Sequence, residues 1–417
     1  MSGGLAPSTD PLTTSPGGMV TNGGGRPPRH RARWRWPLAG LVVLLVVAVV
    51  AVALATRSDD DGGGGSRPPA APEGDEPDIE PEVRVEDAAV VAVPGAGLVT
   101  AAEVVERAEA AQRGNEPEAE AWDELLEDAD DAAARGPDPQ EPLDIPDTDG
   151  PFVEDVAAAY ALALAAVGSG EDRYAEAGRD YLLAWATTNR TTENTCKDSG
   201  ACQTSLIIGR AAPGYVFAAD LLATTGVLDD DDTATIDGWF RDVLLPTTST
   251  RANNWGDAGT MADVVITNHL GDTEGLRAAL GAWRARMDLV EDDGHIPEET
   301  RRGEDGMTYT QGALTYKVAV AEVAERLGVD LWAYEGAGGG TLREAVDHLA
   351  AYWDRPEDWP WDDGIDEPPS VGPLWDLVHA QWEDPEHGRI AEQRRPLGDV
   401  GKSGVVYTTF TSALPVG

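Results

Sequence analysis

From Thr100 to Gly328 one pattern recurs along the chain. Apolar residues return at three-to-four spacing, in stretches of helical length that end at Gly or Pro. TAAEVVERAEAAQ opens on a capping box, Thr100 with Glu103. PEAEAWDELLEDADDAAA, EDVAAAYALALAAVGSG, RYAEAGRDYLLAWATT and SLIIGRAAPGYVFAADLLATTG follow, then DDTATIDGWFRDVLL, GTMADVVITNHLGD, TEGLRAALGAWRARMDLV and YTQGALTYKVAVAEVAERLG. Strand alternation is scarce, and only SGVVYTTFT at 403–411 reads as a strand. Short loops join the helices in pairs, yet no fixed period repeats. This predicts an all-α fold, an (α/α) toroid or incomplete α/α barrel, rather than a solenoid of identical units.

Ahead of this region stands PLAGLVVLLVVAVVAVALAT at 37–56, long enough to cross about 30 Å of hydrocarbon. Arg26, Arg29, Arg31, Arg33 and Arg35 precede it; Arg57 and then Asp59, Asp60 and Asp61 follow. Positive-inside asymmetry predicts a single-pass membrane anchor with the N-terminus in the cytoplasm and the rest extracytoplasmic. The rival is a cleaved signal peptide and a secreted product, since ALA at 53–55 resembles a cleavage site. The expected organisation is a disordered N-terminus at 1–36, the anchor at 37–56, an acidic Gly/Pro-rich linker at 57–82 and a helical domain at 83–417. Outside the cytoplasm, Cys196 and Cys202 in NTCKDSGACQT are expected to close a small-loop disulfide. Net charge is −44, which argues against nucleic acid or an anionic membrane surface as partner. It also argues against a polyanionic substrate unless a local cluster of arginines overrides it.

Two blocks carry a family likeness. NNWGDAGTMADVVITNHLGD at 253–272 is followed about 20 residues later by DGHIPEETRRGEDGMTYTQGALTYKVAVAEVAERLGVDLWAY. Together they resemble the alginate lyase family, in particular polysaccharide lyase family five and its relatives. PGAGLVTAAEVVERAEAAQRGNEPEAEAWDELLEDA is similar to that family's opening segment and RRPLGDVGKSGVVYTTF to its end, so the likeness spans about Val90 to Phe410. The resemblance implies a toroid with a central cleft, an anionic polysaccharide as substrate and uronate β-elimination as the chemistry. It also implies a catalytic set of Asn254, Arg302 and Tyr309, with Trp255 where the family carries histidine and Thr310 where family five usually has another.

Elimination from a uronate needs the carboxylate neutralised, the C-5 proton removed and O-4 protonated as it leaves. Asn254 can donate to the carboxylate and Arg302 can supply charge or a bidentate bond. Tyr309 can act as base and acid; a tyrosine's reference pKa is about 10, so a cation beside it lowers the cost of phenolate. When the C-5 hydrogen and O-4 lie on one face, one tyrosine serves both transfers. Trp255 cannot act as a base, so a syn elimination is expected. Trp255, Asn253, Arg301 and His295 are the further candidates for substrate binding: Trp255 by stacking on a sugar face, Arg301 as a stand-in for Arg302, His295 as a substitute base. Taken singly, Asn254 reads equally as a helix cap, Arg302 as a surface arginine and Tyr309 as a core aromatic. Two other functions stay open: a glycan-binding relative without catalysis, and a toroid glycosidase using Glu298, Glu299, Glu304 or Asp305 as paired carboxylates. No cofactor motif and no His, Asp or Glu cluster at metal-ligand spacing is present in the sequence.

Overall fold

The computed structural model describes residues 77–145, 150–196, 203–362, 364–398 and 403–415. The expected anchor at 37–56 and Cys202 lie outside them, and with Cys202 the expected disulfide.

Helices α1 (Ala101–Gln112), α2 (Glu118–Arg135), α3 (Pro151–Ser169) and α4 (Asp172–Thr188) lead to α5 (Thr204–Thr225) and α6 (Asp230–Trp239). Then come α7 (Asn254–His269), α8 (Thr273–Met287), the single turn α9 (Pro297–Thr300) and α10 (Gly306–Arg326). The chain closes with α11 (Leu342–Ala351), α12 (Leu374–Trp382), α13 (Pro385–Ala391) and the turn α14 (Thr408–Thr411). Strands β1 (Leu143–Asp144) and β2 (Thr192–Glu193) form one short parallel pair.

The helices pack alternately. α1 lies against α3, α3 against α5, α5 against α7, α7 against α10 and α10 against α12, an inner succession. α2 and α4 back onto α3, α8 onto α7, α11 onto α10 and α13 onto α12. α14 touches α12, α1 and α2 and so links the last inner helix to the first. Composition explains which helices go inside. α3 and α5 are apolar around nearly their whole circumference and are buried on all faces, as helices enclosed by two neighbours must be. Both are long and apolar enough to cross a membrane, yet most of each lies in the protein core. α2 and α11 carry one apolar stripe and a charged outer face.

The strand expected at 403–411 is a correction. Gly404 N–H donates to the Arg210 carbonyl at 2.8 Å, beside the step that Pro213 makes in α5. Tyr407 then turns into the left-handed region, φ 57°, and the chain continues as α14. The alternating residues are buried, but among the described residues no strand lies alongside them: Gly404 bonds to helix α5, and Tyr407 N–H donates to Gly398 O at 2.9 Å.

Residues 77–82 run along the domain: Ile79 N–H donates to Thr250 O at 2.7 Å, and Ala252 N–H to Pro77 O at 2.9 Å.

Candidate active site

α7 begins where Asn253 caps it, its side-chain oxygen accepting the Trp255 N–H at 3.1 Å. The preceding loop presses hard against the helix. A Cβ on Gly256 would overlap Arg251 O and Arg286 Nη2, and one on Gly259 would overlap Ser249 O. Glycine in NNWGDAGT therefore lets the loop close over the first turns of α7, bringing Asn254 and Trp255 to the ring's interior. Arg286, itself buried, donates to Thr250 O and Arg251 O, both at 3.0 Å, and pins that loop.

The second block is a compact double turn. Pro297 starts α9, and a 3-10 turn at Gly303–Asp305 leads into α10. Gly303 has φ +63°, a conformation that a side chain would strain, which accounts for the glycine after the arginine pair. The turn folds Arg302 back over the first turn of α10, and its guanidinium carbon stands 4.6 Å from the centre of the Tyr309 ring.

Asn254, Trp255 and Tyr309 line one cavity of about 350 Å³ between α5, α7, α10 and the 370–373 segment. Arg210, Arg394, Gln203, Gln311 and Tyr316 line it too. Among the described residues its wall holds no Asp, Glu or His. Gln311 builds that wall: its Nε2 donates to Ser370 O at 2.9 Å, and its Oε1 accepts from Gly372 N at 3.2 Å and Trp375 Nε1 at 2.9 Å. Tyr316 stands seven residues beyond Tyr309, two turns along the same helix face. Burial pushes its hydroxyl above the usual tyrosine value, while Arg210 beside it pulls the other way.

Behind this wall lies a buried charged layer. Lys317 Nζ is bonded to Asp257 Oδ1, and Arg286 Nε lies 3.9 Å from the same oxygen. Burial pushes the Asp257 carboxyl up and the Lys317 amine down, each opposed by the other's charge. Glu299, fully buried, accepts the Asn254 backbone N–H at 2.5 Å. Burial, with Asp257 nearby, raises its carboxyl to about 8, against the pull of Asn254 N–H, Arg302 and Lys317.

Three of the further binding candidates, Asn253, Arg301 and His295, stand elsewhere. Asn253 is the buried cap of α7. Arg301 is exposed and paired with Glu298 at 2.5 Å. His295 bonds Asp293 at 2.6 Å and lies 4.9 Å from the Trp361 ring. None of the three lines the cavity. Trp255 is 2% exposed and carries the Arg251 guanidinium over its ring at 4.1 Å. Tyr215 and Trp185 are core aromatics, with ring centres 6.2 Å apart. His269 bridges Asp220 and Asp237 at 2.7 and 3.1 Å.

The arginines in the wall escaped sequence reasoning. Arg210 had a legible signal, as the only cation in the long apolar run of α5. Arg394 had none. Tertiary structure also gathers Asp347, Asp384 and His387 within 4.8 Å, which no sequence spacing foretells. Arg343 already bridges both of those carboxylates.

By family this chain is a polysaccharide lyase. The sequence matches the family described as alginate lyase over residues 99–359, and the chain belongs to that family. Its fold is similar to alginate lyase A1-III from Sphingomonas species A1, with TM-score 0.65, 19% identity, 80% of this chain and 100% of that one covered. A tyrosine-to-phenylalanine form of A1-III in complex with a tetrasaccharide matches with TM-score 0.62 and 18% identity, over 80% of this chain and all of that one. An alginate lyase from Bacteroides ovatus matches with TM-score 0.56 and 18% identity, over 76% of this chain and 99% of that one. At these identities the structural likeness speaks for the fold alone. No curated protein sequence matches the chain.

Proposed function

We propose that this protein cleaves a uronate-containing, alginate-like polysaccharide by syn β-elimination at the cavity between α5, α7 and α10. One observation carries the reading: Tyr309, with the Arg302 guanidinium against its ring, shares the cavity wall with Asn254, and no described carboxylate or imidazole shares it with them. Asn254 and Arg302 receive the substrate carboxylate and take up the charge that builds on it as C-5 loses its proton. Tyr309, as phenolate, takes that proton; the C-5–H electrons form the C-4=C-5 double bond, the C-4–O-4 bond breaks, and the tyrosine proton passes to O-4. Trp255, an indole, offers no base for the opposite face.

Arg210 and Arg394 supply the local positive charge that a polyanion needs on so acidic a protein. A hydrolase with paired carboxylates fits less well: Glu299 is buried behind the wall and Glu298 is held by Arg301. The charge pattern of the N-terminal segment supports a membrane-anchored, extracytoplasmic enzyme, with secretion after cleavage as the other outcome.

The test is ultraviolet absorbance of the unsaturated uronyl product, using the chain from residue 58 on polymannuronate, polyguluronate, glucuronan, hyaluronan and heparosan. Signal on a syn substrate, abolished in Tyr309→Phe, is expected. Signal that persists in Tyr309→Phe, or hydrolytic products without the chromophore, refutes the mechanism; binding without product marks a glycan-binding protein.

A further inference from the structure

Two buried oxygens near the site have no hydrogen-bond donor among the described residues: Asn254 Oδ1 and Glu299 Oε2. They belong to residues already joined, because Glu299 Oε1 accepts the Asn254 backbone N–H at 2.5 Å. Bare acceptors on two residues already bonded to each other, in a water-poor interior, are costly, and a proton carried by Glu299 and shared with Asn254 Oδ1 removes the cost of both.

We propose that Glu299 is a positioning residue for Asn254: as a neutral carboxylic acid it donates to Asn254 Oδ1 and holds the amide NH2 toward the cavity. This rests on the reading of Asn254 as the group that meets the substrate carboxylate. The amide has two nearly isosteric ends, and the hydrogen-bond partner behind it decides which one faces out. A protonated Glu299 presents a donor, so the amide oxygen turns inward and the NH2 faces an anion. An ionised Glu299 presents only acceptors, so the NH2 turns inward and the carbonyl confronts the substrate carboxylate, acceptor against acceptor.

The surroundings favour the acid. Glu299 is completely buried, and burial with the neighbouring Asp257 of α7 lifts its carboxyl to about 8. Arg302, three residues further along the chain, and Lys317 of α10 oppose this. Lys317 is committed to Asp257, which Arg286 of α8 also faces. Tyr316 of α10 also feels the Glu299 charge, and burial keeps its hydroxyl neutral through this range. The arrangement therefore predicts that turnover falls as pH rises through about 8.

Glutamine reproduces the neutral acid at all pH, its oxygen accepting from the Asn254 N–H and its NH2 donating to Oδ1. The experiment compares the full chain with Glu299→Gln and Glu299→Ala. Expected for the wild type is a kcat/KM that drops at alkaline pH, and an infrared carbonyl stretch of a protonated carboxyl, absent from Glu299→Gln and lost on raising the pH. Expected for Glu299→Ala is a kcat lower on the order of 100-fold, rescued by Glu299→Gln, whose alkaline fall is gone. A Glu299→Gln profile that keeps the wild-type fall overturns the proposal, as does the absence of the carbonyl band at neutral pH. The band is read without substrate. Silence on every polymer with the band present therefore refutes the elimination reading while supporting the buried acid; an active enzyme without the band does the reverse.

Discussion

The buried pair of Asp257 and Lys317 joins α7 to α10, the helices that carry Asn254 and Tyr309, and Lys317→Met is the perturbation that tests it. Each side chain is 2% exposed, so neither charge has water to fall back on. With the amine gone, the cation left for Asp257 is Arg286, its Nε 3.9 Å away and already donating elsewhere through its Nη atoms. Stranding one member of a buried pair costs about 3–5 kcal/mol, and the residual attraction of Arg286 places this case near the lower end, about 3 kcal/mol. Removing both charges, Asp257→Asn with Lys317→Met, avoids the stranded carboxylate. It is expected to cost at least about 1 kcal/mol less than the two single losses added together. Denaturant unfolding followed by tryptophan fluorescence at neutral pH measures the cycle. The single variant also carries a pH signature. A carboxyl lifted by burial stabilises the fold below its unfolded value, so the Lys317→Met deficit shrinks as the solution is acidified. A loss under about 1 kcal/mol for Lys317→Met, or strict additivity in the double variant, refutes the reasoning.

Further expectations concern the same layer and its supports. Arg302→Lys keeps the charge but loses the planar group that lies on Tyr309; kcat is expected to fall on the order of tenfold, about 1.4 kcal/mol of barrier, with an unchanged circular dichroism spectrum. His269, lifted to about 9 by its bonds to Asp220 and Asp237 against the opposing effect of burial, contributes about 3 kcal/mol that is fully present below pH 6.5 and lost as pH rises through 9. Unfolding titrations across that window should show the decline, and His269→Gln should remove this component of it. Gly256→Ala forces the 249–252 loop off α7 and is expected to cost about 1–3 kcal/mol and most activity. Gly238→Ala, in α6 with open space around it, should instead stabilise by about 0.5–1 kcal/mol, and thermal melts of the two variants separate a steric effect from a general one.

The all-helical class was legible in local pattern. Helix periodicity and capping are set within a few residues, and the capping box predicted at Thr100 is present, with Glu103 Oε2 accepting the Thr100 N–H at 2.6 Å. The last segment misled because alternation reports burial on two sides but not what lies alongside; at Gly404 the neighbour is a proline step in α5. The motif blocks likewise placed Asn254, Arg302 and Tyr309 in order along the chain. That Asn254 and Tyr309 line one cavity, with Arg302 against the Tyr309 ring, depends on helices brought together by packing.

By itself the sequence determined the helices between Thr100 and Gly328, the capping box at Thr100 and the order of the motif residues along the chain, because each of these is written in neighbours along the chain. Only the tertiary structure decided that Arg210 and Arg394 share the Tyr309 cavity and that Asn253, Arg301 and His295 do not line it. It alone placed Glu299 and the Asp257–Lys317 pair out of reach of water. Burial and charge proximity are properties of distance in space, and residues 60 positions apart, like Asp257 and Lys317, acquire them only when the ring of helices closes.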